Sequence, residues 1–337
     1  MRAGKRGSRT GRRGVVVAKY RFNFSVALIC AVLSFATRGQ SFAQTAPDAD
    51  RAQLSQNQLQ SPFNTAPGVT PEGIENGHAA ASPNDEDIGQ QQILKRVTQY
   101  QPFTVSLGTP IFYTSNVALT RSGEISDIVI APIAGAYYQP RITQTLYGNF
   151  GAREQVFYYG STPSFDFGSL DVEAGLNYFL PQFHNLILRG EYDFNRLTLD
   201  DRLGDEFFSN HGLIFNAELP FRFSRGQQLS VGVDTNISVG ADHQSPRRND
   251  YEGYLGYSVN LTRAFSINAV GRVVARDYHQ NGRTDVGEIL SAAASYRLTD
   301  WCWISAISSF AHNDSNQDVF DYNVANVGGA IALSAKF

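Results

Sequence analysis

Cysteine and methionine are nearly absent from this chain, which has two Cys and one Met in 337 residues. So few thiols leave no disulfide framework and no cysteine-based zinc spacing to organise a fold. No phosphate-cradling glycine loop or nucleotide fingerprint occurs either. Long apolar runs are missing as well. The stretch 22–36 has about 15 residues, short of the ~20 that a spanning helix needs, and nothing after it comes near. Any membrane insertion by the rest of the chain must therefore use strands, because only closed barrels and helices satisfy every backbone group in lipid.

The first 43 residues lack acid entirely while holding nine basic residues: Arg2, Lys5, Arg6, Arg9, Arg12, Arg13, Lys19, Arg21 and Arg38. A basic segment, a short apolar run and then Ser41 and Ala43 at the two positions a signal peptidase reads predict an export signal cleaved after Ala43. The alternative is a retained membrane anchor. Ile29 before Cys30 is too bulky for a lipoprotein cleavage box, and Arg12 and Arg13 sit in a poor twin-arginine context. Cleavage leaves 19 basic residues against all 31 acids, a balance of −12. That acidity argues against nucleic acid, which requires a basic footprint.

Residues 44–100 are rich in Gln, Pro, Ala, Ser and Asn and poor in aliphatic and aromatic side chains. Such composition buries too little apolar surface to offset ordering entropy, so this part reads as a disordered periplasmic leader. A short helix over 87–100 is the one local exception, with Ile88, Ile93, Leu94 and Val97 at loosely helical spacing. From 101 to 337 the texture changes to alternation. Leu170, Val172, Ala174 and Leu176 share one parity, against Asp171, Glu173 and Asn177. Leu186, Leu188, Tyr192 and Phe194 oppose Arg189, Glu191, Asp193 and Asn195. Segments of about ten residues or more, split this way, are the signature of transmembrane strands. The chain reads as an all-β, transmembrane, antiparallel up-and-down β-barrel of about twelve strands, within a range of ten to fourteen. The strands fall near 102–113, 125–138, 141–157, 164–180, 183–197, 207–222, 227–240, 249–262, 264–278, 285–298, 300–312 and 321–337. Short turns alternate with longer polar links, as they do where short turns are periplasmic. An even strand count then puts both ends of the barrel in the periplasm. Aromatics near strand ends, among them Tyr137, Tyr138, Phe157, Tyr158, Tyr159, Phe208, Phe221, Phe223, Trp301 and Trp303, predict interfacial girdles.

The final stretch carries a second signal. Val327, Ile331, Leu333, Ala335 and Phe337 share one parity, with Gly328, Ala330, Ala332, Ser334 and Lys336 on the other. A strand ending on Phe resembles the closing strand of Gram-negative outer-membrane barrels. That resemblance implies that Ile331, Leu333, Ala335 and Phe337 form the signal recognised by the barrel-assembly machinery. More broadly, residues 102–337 resemble uncharacterised porin-like outer-membrane β-barrel proteins of proteobacteria, through the segments Pro110–Asn116, Asn249–Gly253, Thr299–Trp301 and Val319–Tyr322. The resemblance implies the Gram-negative outer membrane as location, with lipid and lipopolysaccharide as surroundings.

Parity assigns a lumen-facing set: Arg153, Asp171, Glu173, Arg189, Glu191, Asp193, Glu218, Asp234, Glu252, Arg272, Arg276, Arg297 and Lys336. Acids dominate the middle strands and basic residues the later ones, an arrangement that orients polar solutes in diffusion channels. A passive porin-like channel for small polar solutes is the expected function. The alternative is a non-conducting scaffold or assembly component whose loops or leader bind a partner, including a periplasmic one. Catalysis is not expected. Ser209 and His211 share the lipid-side parity, as in some outer-membrane phospholipases, but in reversed order and without an orienting acid or amide. No metal or cofactor is expected. The alternating oxygens of Asp314–Asp318 lack the Gly and distant Glu of a calcium loop, the acids at 200–206 read as solvated charge, and Arg247 and Arg248 read as a loop pair that meets lipid phosphates.

Overall fold

A computed structural model describes residues 45–59, 100–199, 205–224 and 226–337. The export segment with Ser41 and Ala43, and all of the 87–100 helix except Tyr100, lie outside the described residues.

Thirteen strands follow one another in sequence: β1 (Phe103–Thr114), β2 (Asp127–Ile130), β3 (Ile133–Tyr138), β4 (Leu146–Tyr159), β5 (Phe167–Leu180), β6 (Leu186–Leu199), β7 (Glu206–Ser224), β8 (Gln227–Asp242), β9 (Arg248–Asn260), β10 (Phe265–Tyr278), β11 (Thr284–Thr299), β12 (Cys302–Ser315) and β13 (Tyr322–Lys336). Each pairs antiparallel with its neighbours, and β13 returns to β1, so the sheet closes on itself. β2 and β3 lie end to end between β1 and β4 and make one interrupted stave. The barrel is therefore twelve-stranded. The continuous strand expected over 125–138 breaks at Ala131 and Pro132, because proline has no N–H to give the ladder. Around the break, Ala131 donates to the Pro110 carbonyl at 2.9 Å and Val156 to that of Pro132 at 3.0 Å. The fourth strand begins at Leu146 rather than 141, since Ile142 and Thr143 turn back onto the Leu146 carbonyl.

Closure is made by eleven register pairs from Thr104↔Lys336 to Thr114↔Asn326, among them Val105↔Ala335, Leu107↔Leu333 and Thr109↔Ile331. Phe103 and Phe337 exchange both backbone hydrogen bonds, at 3.2 and 2.9 Å. Ile331, Leu333, Ala335 and Phe337 all lie exposed on the outer face. The outer wall as a whole is apolar, as shown by exposed Leu107, Ile128, Val233, Leu255, Leu290 and Phe310. A water-soluble protein would hide such a belt; a barrel in lipid presents it.

Two expectations change here. Residues 45–59, grouped by composition with the leader, form a helix, α1 (Thr45–Leu59). And several girdle aromatics turn inward. Phe157, Tyr159 and Phe208 are buried, Phe157 stacks on Phe167 with ring centroids 4.3 Å apart, and all of them join Ala49 and Ala52 of α1 in one apolar cluster. Tyr138, Tyr158, Phe221, Phe223 and Trp301 do stay exposed. Among the described residues, no helix is long and apolar enough to cross a membrane.

Candidate functional site in the barrel lumen

The site is the inner wall and the helix that lies against it. α1 sits at the end of the barrel that carries the connections after β4, β8, β10 and β12. Its Ala49 and Ala52 pack on Phe112, Phe157, Phe167, Leu197 and Phe208, while Leu54 packs on Ile289, Ala311, Tyr322 and Val324. These two clusters lie on different staves, so α1 spans the bore. Sequence supports the helix locally through Ala, Gln, Leu and Arg, which are good helix formers, and through Asp48 in the first turn, where the helix dipole favours an acid.

Polar contacts fix its seat. Asp50 is ion-paired with Arg248 and with Arg283 (2.9 Å), and accepts a hydrogen bond from the Tyr278 hydroxyl at 2.7 Å. Arg51 lies over the Phe165 ring at 4.3 Å, pairs with Asp48 at 3.2 Å and donates to the Phe165 carbonyl at 3.4 Å. The Gln56 amide reaches the Ser169 hydroxyl. Arg283, in the 279–283 connection, is held above its ordinary pKa: burial works against its charge, but the Asp285 and Asp50 carboxylates outweigh that.

Arg153, Asp171, Glu173, Arg189, Glu191, Asp193, Glu218, Asp234, Glu252, Arg272, Arg276 and Arg297 are buried or half-buried and opposite in parity to the exposed apolar side chains, whereas Lys336 is exposed. Arg153 on β4 faces Asp171 on β5 at 3.0 Å, and Asn195 donates to the same carboxylate at 2.7 Å. Asn149 bridges Glu173 (3.2 Å) and Glu191 (3.0 Å). Arg189 lies 3.5 Å from Glu191 and 3.8 Å from Asp234, reaching across β7 to β8. Glu218 is fully buried and accepts from the Tyr254 hydroxyl at 3.1 Å. Arg272 lies 3.8 Å from Glu252, and Arg276 donates to Asn313 at 2.8 Å. Arg297 is set apart at the short-turn end, bonded to the Arg263 carbonyl at 2.9 Å. Asp193 joins Arg153, Asp171, Glu173, Arg189 and Glu191 around a cavity of about 200 Å³ roofed by Gln53 and Gln56 of α1.

Sequence reasoning missed the seat of the helix. Arg248 was expected on the surface, yet it is buried in the lumen, because β9 starts at this residue and its parity points inward. Arg283 precedes β11 by one residue and is buried in the same way. Arg248 stands two residues before Asp250 and Arg283 two before Asp285, and that even spacing, which keeps each Arg on the face of its acid, was the available signal. Other candidates resolve differently. His211 bonds the Tyr192 hydroxyl at 2.5 Å and lies against Phe194 (4.9 Å), rather than joining Ser209. Asp318 and Asp321 pair with Arg121 at 3.4 Å each. No cluster of potential metal ligands occurs among the described residues.

No protein-family model and no curated protein matches the sequence. The fold, however, has solved counterparts. The crystal structure of an outer membrane channel from Pseudomonas putida F1 superposes with a TM-score of 0.51 at 10% identity, covering 76% of this chain and all of that one. The translocator domain of the autotransporter NalP from Neisseria meningitidis matches at TM-score 0.39 and 12% identity, over 70% and 88% of the two chains. The KdgM porin matches at 0.38 and 7%, over 67% and 97%. The first of these identifies the fold as that of outer-membrane β-barrels.

Proposed function

We propose that the protein is a non-catalytic channel of the Gram-negative outer membrane, passing small polar solutes through a charged lumen. The observation that carries this reading is the pairing of an apolar outer wall with an inner wall that is charged along its length. Buried charge is costly unless paired or hydrated, and a barrel with no transport role is better served by an apolar or fully paired interior. The connections after β3, β5, β7, β9 and β11, of two to seven residues, would face the periplasm together with both ends of the barrel chain, and those after β1, β4, β6, β8, β10 and β12, of five to twelve residues, the exterior. The outer wall would meet lipid and lipopolysaccharide. Ile331, Leu333, Ala335 and Phe337, on the outer face of β13, would serve the assembly machinery.

The cavity is lined by Asp171, Glu173, Glu191, Asp193 and Asp250 against Arg153, Arg189 and Arg248, an acidic excess of two. Conductance should therefore prefer cations. In planar bilayers under a tenfold KCl gradient, the reversal potential should lie on the cation side. The double substitution Asp171→Asn with Asp193→Asn should lower the cation-to-anion permeability ratio roughly severalfold, as expected when charged rings set selectivity.

A second reading is favoured by the ion pairs and by α1, which together fill much of the bore: a non-conducting scaffold, with the loops or the 44–100 segment available to a partner. Silence from a folded, heat-modifiable barrel, both with α1 and after α1 is unseated, would establish that reading and end the first.

A further inference from the structure

The wall builds the seat of α1 without help from the helix. Arg248 is oriented by Asp250, Nε to Oδ1 at 2.8 Å, and its Nη1 lies 3.0 Å from the Tyr278 hydroxyl. Arg283 is oriented by Asp285, Nε to Oδ1 at 2.9 Å, and is sandwiched on the rings of Phe320 (3.6 Å) and Tyr278 (4.1 Å). Both guanidiniums are buried, and both converge with the Tyr278 hydroxyl on one point. That point is occupied by the Asp50 carboxylate, with Oδ2 at 2.9 Å from Arg283 and Oδ1 at 2.7 Å from Tyr278. Planar forks fixed in advance are what carboxylate recognition requires. The charge balance agrees. Arg248, Arg276 and Arg283 stand against Asp250 and Asp285, and Arg276 is bonded to the neutral Asn313, which itself donates to Asp285 at 3.2 Å. The wall alone is left with one positive charge in excess, which Asp50 cancels.

We propose that this is a carboxylate-binding site of the lumen, and that Asp50 occupies it in place of a solute. A small carboxylate-bearing solute arriving at this end exchanges with Asp50 and releases α1, so that recognition and opening are one event. What opening accomplishes rests on the channel reading above; the exchange does not. Because α1 belongs to the same chain, the solute competes with an effective concentration on the order of millimolar. Exchange therefore belongs to solutes present at millimolar levels.

The experiment uses the full chain with both native cysteines replaced, Cys30→Ser and Cys302→Ser, and carrying Ser55→Cys. Ser55 lies half-buried on α1, facing Tyr159, and a thiol there reacts faster with a water-soluble maleimide once α1 leaves. Succinate should speed labelling saturably, by about fivefold or more, whereas uncharged succinamide, or chloride at the same ionic strength, should not. Asp50→Asn in the same background should raise the basal rate about tenfold or more and leave succinate little to add, because it removes one partner of a buried ion pair. Equal rates with succinate and succinamide, or an Asp50→Asn chain that labels at the parent rate, would overturn the proposal. Bilayer recordings of the same preparations separate the two readings. Labelling that responds while the bilayer stays silent ends the channel and keeps the exchange. Conductance without any labelling response ends the exchange and keeps the channel.

Discussion

Truncating the chain after Asp321 should abolish the barrel. The product should show no heat-modifiable band on electrophoresis and no protease-resistant core in detergent or lipid. β13 supplies eleven register pairs to β1 and twelve to β12. Without it, both partners present open edges, and in hydrocarbon each unsatisfied backbone group costs several kcal/mol. No described strand is free to replace it, since β3 and β2 already hold the other edge of β1. The cost of opening thus exceeds by far the ~5–15 kcal/mol that stabilises an ordinary domain. A gentler change isolates the terminal residue. Phe337→Ala keeps the backbone exchange with Phe103 and removes only an exposed ring. Refolding of this variant in detergent should match the parent, while its yield in the membrane of living cells should fall. A truncated chain that still gave a heat-modifiable barrel would refute the closure described here.

The second large effect concerns α1. Ala49→Glu should expel the helix and leave the barrel standing. Ala49 is fully buried in one apolar cluster with Phe112, Phe157, Phe167 and Phe208. An unpaired charge in such a site costs several kcal/mol, while α1 contributes nothing to the ladder that closes the sheet. Undocking exposes Arg51, which is now buried. Trypsin cleavage after Arg51 should accelerate by roughly 10²–10³-fold, the factor that corresponds to about 3–4 kcal/mol. Heat modifiability should be unchanged, and conductance per channel should rise if α1 obstructs the path. Cleavage at the parent rate would mean that the helix is not held by this cluster.

Much of the barrel was legible beforehand because its cause is local. Successive side chains on a strand face opposite sides, so the parities of Asp171, Glu173, Arg189 and Glu191 could be read from neighbours one and two residues away. The alternation of turn lengths pointed to about twelve strands, within ten to fourteen, by the same kind of counting. Interruption was less legible, since the break at Ala131 and Pro132 depends on how the ladder reroutes through Pro110 and Val156. Aromatics at strand ends were ambiguous for another reason. Parity says which face Phe157 and Phe208 take, but not that a helix waits there to bury them.

By itself, then, the sequence determined a membrane-type barrel of about twelve staves, within ten to fourteen, with an apolar and a polar face on each strand, because hydrophobic alternation and backbone satisfaction in lipid admit little else. Only the tertiary structure decided what the charged side chains meet. Arg189 reaches Asp234 across an intervening strand, and Arg248 and Arg283 approach each other only when β9, β10 and β11 are zipped in register. α1 was hidden for the same reason. Its few apolar atoms cannot hold a fold alone, and they become sufficient only where a closed wall of phenylalanines and a pair of guanidiniums, drawn from distant strands, surrounds them.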